Sequence, residues 1–176
     1  MGKSTIYSSL SDADVKALGK RVNVDEIVRS LGDWRDTKIQ FRAGKIAVKE
    51  IKECLREKLD FHQETTLGGQ TVLHTAKEAK AMGYTVHLWY IFVSDTEMAK
   101  QRVRTRVAGG GHGISDEIIE RRSITSLKTL KALIPLCDKV WLYDNTVTYN
   151  PVVHITDGAV TLLAKNIPRH ILSCLE

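Results

Sequence analysis

The chain has 176 residues, 43% of them hydrophobic and 27% charged, a length that fits one domain of about 100 to 200 residues and a composition that excludes a disordered chain. Its formal charge of +5 favours an anionic partner: nucleic acid, an anionic membrane or a phosphorylated small molecule. The most apolar run, residues 84–93, contains His87 and is about half the ~20 residues a membrane-spanning helix requires, and the N-terminus holds no apolar signal core, so a cytoplasmic protein with no membrane partner is expected.

Patterns of helical period alternate with short β-branched and aromatic runs, which predicts a single α/β domain over 1–176 with a mostly parallel sheet. Residues 4–18 read as the first helix, 21–24 as a strand and 36–59 as a long helix. A strand over 61–65 then leads into a helix over 68–82 that Gly83 closes. Residues 85–93 form the most continuous apolar run and are expected as a central strand buried on both faces. A helix over 95–108 follows, capped by Ser94 or Asp95, and another over 115–133, capped by Ser115. Strand 139–143, an edge strand over 152–155 and a packing helix from 159 onward, broken near Pro168, complete the reading. Cys54, Cys137 and Cys174 are odd in number and far apart, which excludes a disulfide framework and a CxxC metal knuckle and leaves buried thiols.

Gly2-Lys3-Ser4-Thr5 matches the second half of a P-loop, in which backbone N–H groups cradle phosphates, the lysine reaches the terminal phosphates and the hydroxyl takes Mg²⁺. The strand and first glycine that precede such a motif have no counterpart in the sequence, so the sheet is expected to lack its first strand. Transfer of a γ-phosphoryl group also needs a carboxylate that orients the acceptor, positive charge and a cover that excludes water.

Each has a candidate. Asp25 stands where a short apolar run ends and reads either as a general base or as a helix N-cap. Arg102 and Arg106 are four apart on one helix face, beside an apolar face of Ala99, Val103 and Val107, while Arg104 between them is expected in solvent. Arg121 and Arg122 follow across a loop, residues 109–113, with four glycines in five positions; that loop reads as a mobile cover or as a plain surface connection. Glu64, Thr65 and Thr66 end a strand ahead of Gly68 and Gly69, a carboxylate and two hydroxyls suited to a polyhydroxylated substrate, with Thr66 alternatively a helix cap. The six histidines show no ligand spacing, which argues against a metal enzyme. No aromatic-interleaved basic face is visible in the linear sequence, which argues against nucleic acid.

Taken in order, Gly2-Lys3-Ser4-Thr5, Asn23-x-Asp25, Glu64-Thr65-Thr66, the arginine and glycine run from Arg102 through His112, Glu120-Arg121-Arg122 and Tyr143-Asp144-Asn145 resemble the zeta toxin family of P-loop kinases. The resemblance implies a P-loop kinase fold, a parallel sheet flanked by helices, and an ATP-dependent phosphotransferase acting on a hydroxyl of a sugar nucleotide, UDP-N-acetylglucosamine foremost, with an antitoxin protein as partner. A kinase of another hydroxylated metabolite and a non-catalytic remnant that serves as a binding module are the alternatives. It further implies that Lys3, with Gly2, Thr5 and Arg122, binds ATP, that Ser4 holds Mg²⁺ and that Asp25 is the base. Glu64, with Thr65 and Thr66, contacts the sugar, and Arg102 or Arg106 together with Arg121 or Arg122 stabilises phosphate. It does not choose within either arginine pair.

Overall fold

The computed structural model describes residue 7 and residues 10–111 and 113–176, and they fall into two compact units that divide between Thr65 and Thr66. The protein is α/β, and its described residues form a two-stranded and a four-stranded sheet.

The first unit opens on helix α1 (Asp12–Ala17), whose N-terminus is a capping box: Ser11 accepts from the Asp14 N–H while the Asp14 carboxylate takes the Ser11 N–H. Ser11 is extended, so the single helix expected over 4–18 is interrupted there, the serine side chain having replaced the backbone as partner for the first turn. Strand β1 (Lys20–Asn23) leads directly into helix α2 (Val24–Leu31), with Asn23 as N-cap, its Oδ1 accepting the Asp25 N–H at 3.0 Å. The cap is therefore Asn23, and Asp25 sits inside the first turn.

Helix α3 (Thr37–Glu57) buries Ala43, Ala47, Ile51, Cys54 and Leu55, a stripe at helical spacing, and touches β1 and α2, which bury Val22 and Val28. Lys58, left-handed at φ 54°, ends it. Strand β2 (Phe61–Glu64) then pairs with β1 in parallel, Arg21 opposite His62 and Asn23 opposite Glu64. Gly19 feeds β1 at φ 68°, and a Cβ there would lie 2.0 Å from the Asp60 carbonyl oxygen, so only glycine lets the two strands begin side by side.

The second unit holds helix α4 (Thr71–Ala81), strand β3 (His87–Phe92), helices α5 (Thr96–Ala108) and α6 (Asp116–Leu133) and a 3-10 turn (Ile134–Leu136). Strands β4 (Lys139–Asp144), β5 (Asn150–Thr156) and β6 (Ala159–Leu162) and the short helix α7 (Arg169–Leu172) follow. The strand order is β3-β4-β5-β6: β3 and β4 are parallel, whereas β5 and β6 run antiparallel to their neighbours. Leu130, Leu133, Val140, Leu142, Val153, Ile155 and Ile171 form the buried core against one sheet face.

Three expectations are corrected. β3 ends the sheet, with β4 its one partner among the described residues, and exposed and half-buried positions alternate along its first four residues, so it is not a central strand buried on both faces. β5 is internal, between β4 and β6. The chain after residue 159 begins as a strand because Asp157 and Gly158, at φ 50° and 81°, make a two-residue hairpin turn of the type that Asp-Gly favours; the sheet is accordingly mixed. Among the described residues no helix is long and apolar enough to cross a membrane. Cys54 and Cys174 are buried, Cys137 is half-buried, and none is in a disulfide; burial raises the Cys137 thiol to about 11, with Asp138 adding to the effect.

Candidate functional site

The carboxyl ends of β1 and β2 carry a cluster of polar side chains. Because the strands are parallel and in register, Asn23 and Glu64 meet side by side: Asn23 Nδ2 donates to Glu64 Oε1 at 3.2 Å. Arg21, one residue back from Val22, reaches the same oxygen with Nη2 and Glu26 Oε1 with Nη1 at 2.6 Å. The Tyr7 ring covers the guanidinium, 3.8 Å from centroid to carbon, and stacks on His62 at 5.3 Å. Burial works against the charge of Arg21, but the hydrogen bond and charge of Glu64, backed by Glu26, outweigh it and hold its pKa above the ordinary arginine value.

Beside the cluster lies a cleft of about 530 Å³ lined by Tyr7, Arg21, Asn23, Asp25, Glu26 and Arg29 along with residues of α1. Asp25 is exposed on its wall. Three carboxylates, Asp12, Asp25 and Glu26, and two guanidiniums on one cleft can orient hydroxyls and compensate negative charge, and in open α/β sheets ligands are met at the carboxyl ends of strands. His62 is half-buried below, with Nδ1 bonded to the Leu18 carbonyl at 3.2 Å and Nε2 buried without a partner. Burial lowers its pKa, and the charge of Arg21 lowers it further against the opposing pull of the Leu18 carbonyl and Glu64.

The expected arginines belong to the second unit. Arg102 is half-buried on α5 and donates to the Thr146 carbonyl at 2.8 Å. Thr146 is itself fixed at the strand ends: its N–H and hydroxyl both bond Asp144 Oδ1, and its oxygen accepts the Ser94 N–H at 2.9 Å. Arg102 thus stands at the carboxyl ends of β3 and β4. Arg104 is ion-paired to Asp116 while still largely exposed. Arg106 and Arg121 are exposed and Arg122 half-buried. Glu120 holds Lys100, whose ammonium also bonds Glu97; these two hydrogen bonds keep the buried Lys100 well above its ordinary pKa.

Three local expectations change. Val107 is 46% exposed, so the apolar face of α5 narrows to Val103 and its neighbours. The glycine loop begins as a fixed helix ending: Gly110 N–H bonds Val107 O at 2.9 Å and Gly111 N–H bonds Arg106 O at 2.9 Å, with Gly110 at φ 81°, the two bonds of a Schellman motif. Gly111 lies close over the stem of Arg106, where a Cβ would come within 2.6 Å of Cγ. Thr65 is half-buried and Thr66 exposed; Thr66 caps nothing, since the N-cap of α4 is Gln70. Gly2, Lys3, Ser4 and Thr5, and His112, lie outside the described residues.

Sequence reasoning missed Arg21, Glu26, His62 and Tyr7. Arg21 is the first residue of the strand predicted over 21–24, where a charged side chain reads as solvated. Among the described residues no three of His, Cys, Asp and Glu gather as a metal site.

The fold and this cluster define an α/β protein with a charged strand-end cleft. The chain is 31% identical over 121 residues to an uncharacterized protein of Haemophilus influenzae, a match spanning 69% of this chain and 84% of that protein, and it belongs to the same family. No family model matches the chain, and no solved structure matches it.

Proposed function

We propose that the protein is an ATP-dependent kinase of the zeta-toxin kind, with a P-loop kinase fold, that phosphorylates a hydroxyl of a sugar nucleotide, UDP-N-acetylglucosamine being the leading substrate. The observation that carries this reading is the meeting of Asn23 with Glu64 at the ends of two parallel strands, beside a cleft that Asn23 and Asp25 line together with Arg21 and Arg29. In this reading Glu64, with Thr65 and Thr66, holds the sugar. Asp25 accepts the proton of the attacking hydroxyl, that oxygen bonds to the γ-phosphorus, and the bond from the γ-phosphorus to the bridging oxygen breaks to release ADP.

Arg102 or Arg106, with Arg121 or Arg122, stabilises the charge on the equatorial oxygens. Gly2, Lys3 and Thr5 bind ATP, whose Mg²⁺ Ser4 would hold, and the proton step needs only the chain's own carboxylate. The setting is cytoplasmic and an antitoxin protein is the expected partner.

The test is ADP release by purified protein with ATP, Mg²⁺ and UDP-N-acetylglucosamine. Substrate-dependent ADP release that Asp25→Asn lowers by about 100-fold or more supports the reading. Release of ADP only with another hydroxylated metabolite keeps the kinase and moves the substrate. A folded chain that transfers phosphate to no acceptor overturns the reading in favour of a non-catalytic binding module.

A further inference from the structure

The face of the four-stranded sheet opposite the buried core is built unlike the rest of the molecule. Register places Trp89, Trp141, His154 and Thr161 in one row across β3, β4, β5 and β6, and His87, Lys139, Thr156 and Ala159 in the next row on the same face. None of these eight residues is buried, and Trp89 is 38% exposed. The rings form a ladder: Trp141 stacks on His154 at 4.9 Å, Trp89 tilts against Trp141 at 5.8 Å, and His87 meets Trp141 edge-on at 5.9 Å. The ladder ends at Trp89, on the strand that ends the sheet. Ile91 and Tyr143, one row further and half-buried, complete the face.

The charge on these rows has one sign. Lys139 is exposed, and no aspartate or glutamate stands in either row or beside Ile91 and Tyr143. A carbohydrate surface pairs its aromatic rings with carboxylate or amide acceptors for sugar hydroxyls, and this face has neither. A basic, carboxylate-free sheet face with stacked rings suits a ligand that offers planar rings joined by phosphates, in keeping with the net charge of +5.

We propose that this face binds single-stranded nucleic acid, with bases stacking on the Trp89 end of the ladder and the backbone phosphates drawn to Lys139. Stacking is indifferent to base identity, so the binding is weakly sequence-selective, and a duplex, whose bases are already stacked, is a poor ligand. The linear sequence does not display this surface because its residues sit on four strands. The inference is independent of the kinase reading: it uses no residue assigned to the cleft or to phosphate.

The experiment is fluorescence anisotropy of labelled oligo-uridylate, oligo-thymidylate and a DNA duplex with the full chain at low salt, alongside tryptophan emission. The expected result is saturable binding of single strands with tryptophan quenching, weaker binding of the duplex, and a loss of about fivefold to a hundredfold in affinity for Trp89→Ala. Trp89→Phe retains most of the affinity, and Lys139→Glu weakens binding and makes it less salt-dependent. A preference for either single strand supports the proposal and names its polymer. Absence of binding overturns it, as does binding that neither Trp89→Ala nor Lys139→Glu alters. A change in sedimentation on Trp89→Ala without oligonucleotide binding also overturns it and assigns the face to a second copy of the chain.

Discussion

The two units hold their sheets by different physics. In the second, β4 lies between two strands with Val140 and Leu142 wholly buried, and the burial of apolar area does most of the work. In the first, two short strands meet over a partly buried ion pair: every residue of β2 is half-buried, and Arg21, Glu64 and Asn23 lace β1 to β2. An apolar core tolerates any side chain of similar volume, whereas a half-buried charge tolerates only its partner. The comparison teaches that the first unit has given up packing for polar order at its strand ends, where a binding site needs it.

The largest effect that tests this contrast is Leu142→Ala. The side chain is 0% exposed on a central strand, and its removal is expected to destabilise the protein by about 2 to 5 kcal/mol in denaturant unfolding, since the strands around the cavity relax only partly. Leu142→Met, near in volume, loses less than about 1.5 kcal/mol.

Next in size is Arg21→Met. It leaves Glu64, with 11% of its side chain exposed, without its cationic partner, and is expected to cost about 1 to 3 kcal/mol. Adding Glu64→Leu should recover part of that loss, a coupling readable in a double-mutant cycle. If the two single losses simply add, the strand ends are held by packing like the other unit and the contrast fails.

These residues also mark how far the sequence could be read. The ends of β1 and β2 were legible because a short run of strand-forming residues followed by Asn-x-Asp or Glu-Thr-Thr has one obvious termination. Their pairing was implied by parallel topology, which sets Asn23 against Glu64. Arg21 was not legible, since a charged residue near a strand end reads as solvated until a partner from a distant strand is known. The turn at Asp157 and Gly158 carried its signal openly, yet the leucines after it have helical spacing as well. Only pairing with β5 settles that competition. The aromatic rows were invisible for the same reason as Arg21: Trp89, Trp141 and His154 become neighbours through register alone.

A smaller effect concerns the loop beside the arginines. Gly110 sits at φ 81° with open space where a Cβ would be, so Gly110→Ala is expected to cost about 1 kcal/mol of left-handed strain and nothing in contacts. Gly109, whose φ is −86°, should accept alanine with little change. Thermal unfolding of the pair separates a helix ending fixed by backbone geometry from a flexible connection, for which neither substitution would matter.

The finest test returns to the first unit and uses protons. His62 has a lowered pKa, chiefly from burial and then from the charge of Arg21, so the folded protein keeps its ring neutral at a pH where the unfolded chain, titrating near about 6.5, has begun to protonate. Between those two values the unfolded state binds more protons, and stability must rise with pH. The contribution is fully present above about pH 6.5 and is lost as the pH falls through that value towards the lower folded pKa. Unfolding midpoints measured from pH 7.5 down to 5.5 should therefore fall more steeply in the native protein than in His62→Gln, which has no proton to take up. Parallel profiles would mean that the ring sits in water in solution, and that the polar order at the ends of β1 and β2 is looser than the bond from His62 to the Leu18 carbonyl implies.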